Sequence, residues 1–159
     1  MKVLVATAAV LVPAACTDTH VLSGSFRTPE PVTIAGVPEI KERYIELVLG
    51  HYGPDVAGIA WFCTDADCST ASGPCGHLER GTWAGGTLRF SFTPPGGCNP
   101  VPETGCSVKA RLTLFGDDSL EGDMFVREDQ KVPVTLSRKK HSGDVVRDDL
   151  ECDPEGTTK

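Results

Sequence analysis

Alternation of apolar and polar side chains is the feature that most constrains how this chain can fold. In residues 108–114, which read VKARLTL, every second side chain is apolar. Residues 87–92 and 132–137 repeat the pattern. A period of two places the apolar side chains on one face of an extended strand, whereas an α-helix requires a period of 3.6. The pattern therefore predicts β-strands that are buried on one face.

Turn-forming residues separate these strands. The chain of 159 residues contains 17 glycines and 12 prolines, and residues 83–86 (WAGG) and 116–119 (GDDS) are typical of tight hairpin turns. The sequence thus predicts eight strands in succession. They lie near residues 21–27, 43–50, 55–62, 77–83, 87–92, 107–115, 119–126 and 131–137.

Eight sequential antiparallel strands predict an all-β fold closed into an up-and-down meander barrel, because closure leaves no unpaired sheet edge. A two-sheet β-sandwich is the alternative. An outer-membrane barrel is disfavoured, since its outward face must be apolar. Here the polar positions of the strands include Lys109, Arg111, Glu121 and Asp123.

The N-terminus has the pattern of an export signal. Lys2 precedes an apolar run over residues 3–12, and Pro13-Ala14-Ala15-Cys16 follows. The run is half of the roughly 20 residues that a transmembrane helix needs. It resembles the signal peptide and lipobox of a bacterial lipoprotein, in which small residues directly precede the cysteine. The resemblance implies a signal peptide at residues 1–15 and lipid attachment at Cys16.

The same resemblance predicts where the protein resides. Residues 16–20 would form a lipidated tether that holds the protein at a membrane of the bacterial cell envelope. Thr17, in place of aspartate, is similar to the enterobacterial sorting signal for the outer membrane. The alternative is ordinary secretion as a soluble periplasmic or exported protein, with cleavage near Cys16 and no lipid.

Cysteine number agrees with export. There are seven cysteines, and lipidation of Cys16 would leave six, which can form three disulfides in an oxidising compartment. Cys98 and Cys106 are the easiest pair, because they flank one loop. Cys152 must then reach back to one of Cys63, Cys68 or Cys75, while the other two pair locally. A zinc site built from these three cysteines and His77 is the alternative, although their spacing does not match the common zinc modules.

Length and charge exclude several classes of partner. Without residues 1–15 the chain has 144 residues, enough for one domain, and 14 basic against 22 acidic residues give a formal charge of −8. Nucleic acid is therefore not expected as a partner, and anionic headgroups would repel the surface. We expect a monomeric barrel domain at residues 21–138. A polar tail at 139–159 would follow, stapled by a disulfide, with residues 138–141 (RKKH) as a solvated basic turn.

The predicted connections differ in length at the two ends of the barrel. Those after strands 1, 3 and 5 are long, near residues 28–42, 63–76 and 93–106, while those after strands 2, 4 and 6 are short turns. In a meander the two sets lie at opposite ends. This asymmetry is similar in architecture to lipocalin-like barrels, which keep one mouth open for a ligand, and the periplasmic lysozyme inhibitors are similar in plan.

Several groups of residues are of types that can bind metal, catalyse or stack on a ligand, but each has a simpler structural interpretation. Aspartates at turns usually satisfy backbone N–H groups rather than bind calcium, histidines outside a catalytic motif are usually surface residues, and tryptophans usually fill or plug a core. Carboxylates that alternate outward on strands do not suit glycoside hydrolysis. The residues in these groups are Asp65, Asp67, Asp117, Asp118 and Asp123; His51, His77 and His141; Glu79 and Glu121; and Trp61 and Trp83.

The sequence therefore predicts no catalytic residue, metal or cofactor. It favours a non-enzymatic module that binds a small apolar ligand or another protein through its long-loop end. An envelope enzyme with a scattered site and a structural envelope component are the alternatives.

Overall fold

The computed structural model of the chain describes residues 21–68, 74–103 and 105–141, together with Cys152. This part of the chain is all-β, with nine strands and one short 3-10 helix, Pro38–Ile40. The strands are β1 (Gly24–Arg27), β2 (Tyr44–Tyr52), β3 (Asp55–Cys63), β4 (Cys75–His77), β5 (Glu79–Ala84), β6 (Thr87–Phe92), β7 (Val108–Phe115), β8 (Ser119–Phe125) and β9 (Val132–His141).

Eight of the described strands close into an antiparallel up-and-down barrel. Around the barrel the order is β1, β2, β3, β5, β6, β7, β8 and β9, and β9 returns to pair with β1. The short strand β4 pairs with β3 as an additional strand. The predicted meander barrel is confirmed, and the sandwich alternative is wrong, because β1 pairs with both β2 and β9 in one closed sheet.

The fourth predicted strand differs from the structure. The sequence predicted one strand at residues 77–83, whereas β4 and β5 occupy this region. The register of β5 against β6 slips by one residue between Glu79 and Thr82, which is the signature of a β-bulge. Arg80, inside the bulge, has a φ of 52°, in the left-handed region. The bulge bends the strand, so that β4 and β5 each pair with a different part of β3.

Apolar side chains fill the barrel interior. Along β7 and β8, the inward positions pair Ala110 with Met124 and Leu112 with Gly122. The Phe62 and Phe92 rings lie 5.4 Å apart between centroids. The strand residues that belong to the connected core are Phe26, Ile45, Leu47, Leu49, Val56, Ala60, Phe62, Leu88, Phe90, Phe92, Val108, Ala110, Leu112, Leu120, Met124, Val134 and Leu136. These residues form one continuous core.

Strand β9 is longer than predicted. It extends to His141, and its last residues pair with Gly24 and Ser25 of β1. The basic segment 138–141 is therefore part of the barrel wall, and its interpretation as a solvated turn is wrong. Pairing with β1, which is remote in sequence, extends the strand beyond its apolar alternation. Within the described residues, no helix is long and apolar enough to span a membrane.

Candidate functional site

The long connections lie at one end of the barrel, as the meander requires. This long-loop end consists of the connections 28–43, 64–74, 93–107 and 126–131, of which residues 69–73 and 104 lie outside the described chain. The opposite, hairpin end consists of the turns 53–54, 85–86 and 116–118 and the start of β1. The two ends differ in what they could offer to a ligand or partner.

The first long connection folds over the mouth of the barrel. Ile34, Val37 and Ile40 are buried and belong to the same hydrophobic core as the strands. Backbone hydrogen bonds shape the segment, since Ile34 N donates to Ile40 O and Ile40 N donates to Val37 O. Three apolar side chains therefore close the interior at this end, where a lipocalin-like barrel would leave an opening.

The third long connection, residues 93–107, is hydrogen-bonded to the first, residues 28–43. Cys98 and Cys106 form a disulfide with a Cα–Cα distance of 5.4 Å, as expected from the sequence. Asn99 N donates a hydrogen bond to Gly36 O at 2.8 Å. The cap over the mouth is thus made of two connections that are joined by a backbone hydrogen bond and braced by a disulfide.

The second long connection is fixed to the outer wall. Cys63 and Cys68 form a disulfide, and Arg27 Nη1 donates to Ala66 O at 2.7 Å. The same guanidinium pairs with Glu46 at 3.1 Å, and both side chains are largely buried. An ion pair shielded from water holds its geometry better than an exposed one. Arg27 therefore positions the start of this connection.

A cleft of about 300 Å³ lies beside β4 at the long-loop end. The Cys75–Cys152 disulfide forms part of its lining, and Thr93 Oγ1 donates to Glu79 Oε1 at 3.0 Å. The lining residues are Cys75, Gly76, His77, Glu79, Thr93, Pro94, Pro95 and Cys152. The cleft offers one carboxylate, one imidazole and an apolar proline wall, an arrangement suited to holding a side chain.

A large exposed apolar residue lies at the same end. Val101, in the connection 93–107, is 71% exposed. An exposed apolar side chain on a braced loop provides contact area to a partner at little cost in ordering. The cleft and Val101 together make the long-loop end the candidate binding surface.

The described cysteines are all used in disulfides. Cys63 pairs with Cys68, Cys75 with Cys152, and Cys98 with Cys106. Zinc thiolate ligation by Cys63, Cys68 and Cys75 is therefore wrong, because their sulfurs are bonded to each other or to Cys152. Cys16, the predicted lipid attachment site, lies outside the described residues.

The described hydrogen bonds at two of the acidic candidates involve their backbone carbonyl groups. Asp65 O accepts from Cys68 N in the disulfide loop, and Asp117 O accepts from Arg138 Nε. Glu121 and Asp123 lie on the outer face of β8, opposite Thr113 and Arg111. Among the described residues, no group of three or more His, Cys, Asp or Glu side chains is arranged to hold a metal ion.

His51 is not the surface histidine that the sequence suggested. It is fully buried, Nε2 donates to Gly53 O at 2.7 Å, and Nδ1 accepts from Leu22 N at 3.4 Å. Trp83 contacts its ring edge-on. The alternation of β2 already indicates this burial, because His51 continues the inward-facing positions of Leu47 and Leu49. His77, by contrast, is exposed. The side chain of His141 lies outside the part of the chain that the structure describes.

The hairpin end is closed by the first described residues of the chain. Leu22 is fully buried, and Arg138 donates to Ser23 O at 3.0 Å and to Val21 O at 2.7 Å. His51 N also donates to Ser23 Oγ at 3.0 Å. Residues 21–23 are therefore held across the base of the barrel, opposite the long loops.

Trp61 and Trp83 have different places in the barrel. Trp83 packs against the core at the hairpin end and plugs it together with His51. Trp61 is partly buried on the outer face of β3, opposite Cys75. The two tryptophan rings lie toward opposite ends of the barrel, so they do not form a shared stacking platform for a ligand.

Comparison with known proteins gives no match: no protein-family model, no curated protein and no solved structure corresponds to this chain.

Proposed function

We propose that the protein is a lipid-anchored, non-enzymatic β-barrel module of the bacterial envelope that binds a protein partner through its long-loop end. In this proposal Cys16 carries the lipid and the barrel displays its braced loops away from the membrane. Secretion without a lipid is the alternative for the anchor, and a small apolar ligand is the alternative for the partner.

One observation carries the orientation. Arg138 holds the carbonyl groups of Val21 and Ser23 at the hairpin end. Only residues 17–20 separate Cys16 from this attachment, and at roughly 3.3 Å per residue they reach about 13 Å. A lipid on Cys16 would therefore keep the hairpin end beside the bilayer and direct the long loops outward.

The packing of the barrel favours a protein partner over a ligand in the lumen. Phe62, Phe90 and Phe92 fill the interior, and Ile34, Val37 and Ile40 cover the long-loop mouth. The surface cleft of about 300 Å³ is at the small end of the range for ligand pockets. It can hold one or two side chains of a partner, while Val101 extends the contact beyond it.

The anchor is tested by membrane partitioning. We expect the wild-type protein to sediment with membranes and to enter the detergent phase, since each buried methylene contributes about 0.8 kcal/mol. Cys16→Ser should accumulate as an uncleaved or soluble form. A soluble wild-type protein with an unmodified N-terminus, found by mass spectrometry, would rule out the anchor.

The binding surface is tested by crosslinking in intact envelopes. Shortening the connections 28–43 and 93–107 to tight turns should remove a specific crosslinked species, and Val101→Ser should weaken it. Changes in residues 116–119 at the opposite end serve as the matched control and should leave it intact. Crosslinking that survives replacement of the loops contradicts the proposed surface.

A further inference from the structure

The hairpin end exposes two aromatic side chains. Tyr52 is 63% exposed and Phe115 is 55% exposed. Among the described residues these are the exposed large aromatics, and Val101 at the other end is the remaining exposed large hydrophobic residue. The two strongly exposed aromatic side chains of the described chain thus both lie at the end where residues 21–23 are held.

The two aromatics lie on different sides of the barrel base. Tyr52 ends β2 beside the turn 53–54, and Phe115 ends β7 beside the turn 116–118. Around the barrel, the turn 85–86 lies between them on one side, and the start of β1 lies between them on the other. Both exposed aromatic residues and the point where the tether leaves therefore lie around the rim of the base.

The charges at this end are mixed. Lys139 and Lys140 are exposed at the end of β9, while Asp117 and Asp118 occupy the neighbouring turn. Charges of both signs suit a zwitterionic surface, which presents phosphate and ammonium groups together. They do not favour a strongly anionic surface, which would repel the chain without residues 1–15, whose formal charge is −8.

We infer that the base of the barrel rests on the bilayer, with the rings of Tyr52 and Phe115 in the headgroup region. This inference depends on the proposed lipid anchor, which brings the base to the membrane. Aromatic side chains prefer this region of the bilayer, and the Tyr52 hydroxyl can remain hydrated while its ring contacts acyl chains. The lipid and the two rings then form three contacts that hold the barrel upright.

Tryptophan quenching in reconstituted vesicles tests the inference. The full lipidated protein is placed in phosphatidylcholine vesicles with or without brominated acyl chains, which quench nearby tryptophan fluorescence. Tyr52→Trp and Phe115→Trp each add an exposed reporter to the native Trp61 and Trp83. Val101→Trp is the matched control, because it adds a reporter at a position that is also more than half exposed, at the opposite end.

We expect the added quenching at positions 52 and 115 to exceed that at position 101 at least twofold. Equal quenching at all three positions, or none at 52 and 115, overturns the upright orientation. The mass of the N-terminal peptide from the same sample reports the anchor separately. An unmodified N-terminus overturns both proposals, whereas a lipidated protein without quenching at the base overturns this inference alone.

Discussion

The guanidinium of Arg138 joins three segments that are remote in sequence. It donates hydrogen bonds to the carbonyl groups of Val21, Ser23 and Asp117, and it lies 4.2 Å from the centroid of the Phe26 ring. Burial lowers the pKa of Arg138, and the nearby Asp118 and Asp117 partly oppose this shift. Arginine remains charged at any physiological pH, so its hydrogen bonds are charge-assisted.

Arg138→Lys is expected to lower the free energy of unfolding by about 1.5–3 kcal/mol, because an ammonium cannot reach three carbonyl groups in the planar geometry of a guanidinium. Urea unfolding followed by tryptophan fluorescence measures the change. Lys139→Ala, at the next and exposed position, should change the value by less than about 0.5 kcal/mol. Equal midpoints for the two variants would show that the Arg138 contacts add nothing.

At the scale of elements, the bulge between Glu79 and Thr82 shapes the wall. It allows β5 to pair with β6 along most of its length while β4 continues along β3 toward the long-loop end. Gly81 lies in this bulge, where a Cβ atom would overlap the carbonyl oxygen of Val56. Trp83 N donates to Pro54 O and Leu78 N donates to Gly58 O, so both sides of the bulge are fixed to β3 or its turn.

Gly81→Ala should therefore destabilise the barrel by about 1–3 kcal/mol, the usual cost of forcing atoms into a packed site. The obstructing atom belongs to the backbone and cannot rotate away. Ala57→Ser, at an exposed position of neighbouring β3, is the control and should be nearly neutral. Thermal unfolding by circular dichroism compares the two, and an unchanged melting temperature for Gly81→Ala would contradict the close approach.

At the scale of the whole molecule, the three disulfides close loops of very different length. The bridges Cys63–Cys68 and Cys98–Cys106 span 5 and 8 residues, whereas Cys75–Cys152 spans 77. A longer closed loop restricts the unfolded chain more strongly. The Cys75–Cys152 bridge also holds Cys152 against the additional strand β4.

Replacing both cysteines of one bridge with serine should cost most at Cys75 and Cys152. The chain-entropy relation gives about 4.5 kcal/mol for this pair, about 2.6 kcal/mol for Cys98 and Cys106, and about 2.2 kcal/mol for Cys63 and Cys68. Guanidinium unfolding of the three double variants measures the order. A smaller loss at Cys75 and Cys152 than at either short loop would contradict the entropic account.

The alternating strands β6, β7 and β8 are local properties of the sequence. The alternation in residues 108–114 places Val108, Ala110 and Leu112 on one face whatever the partner strand, and Gly116 and Asp117 form the turn that follows. The strand β6 has the predicted bounds for this reason, and β7 and β8 differ from the prediction by one residue each. The short turns 53–54, 85–86 and 116–118 pair the strands that they join, so the sequence determines these three hairpins of the meander.

Only the tertiary structure decided how the ends of the barrel close. Ile34 enters the core and Asn99 bonds to Gly36 because two connections about 60 residues apart meet over the mouth, and no local pattern encodes that meeting. The pairing of Cys75 with Cys152 has the same origin. Alternation identifies which face of a strand is buried, but only contacts between distant segments determine what covers the ends of the barrel.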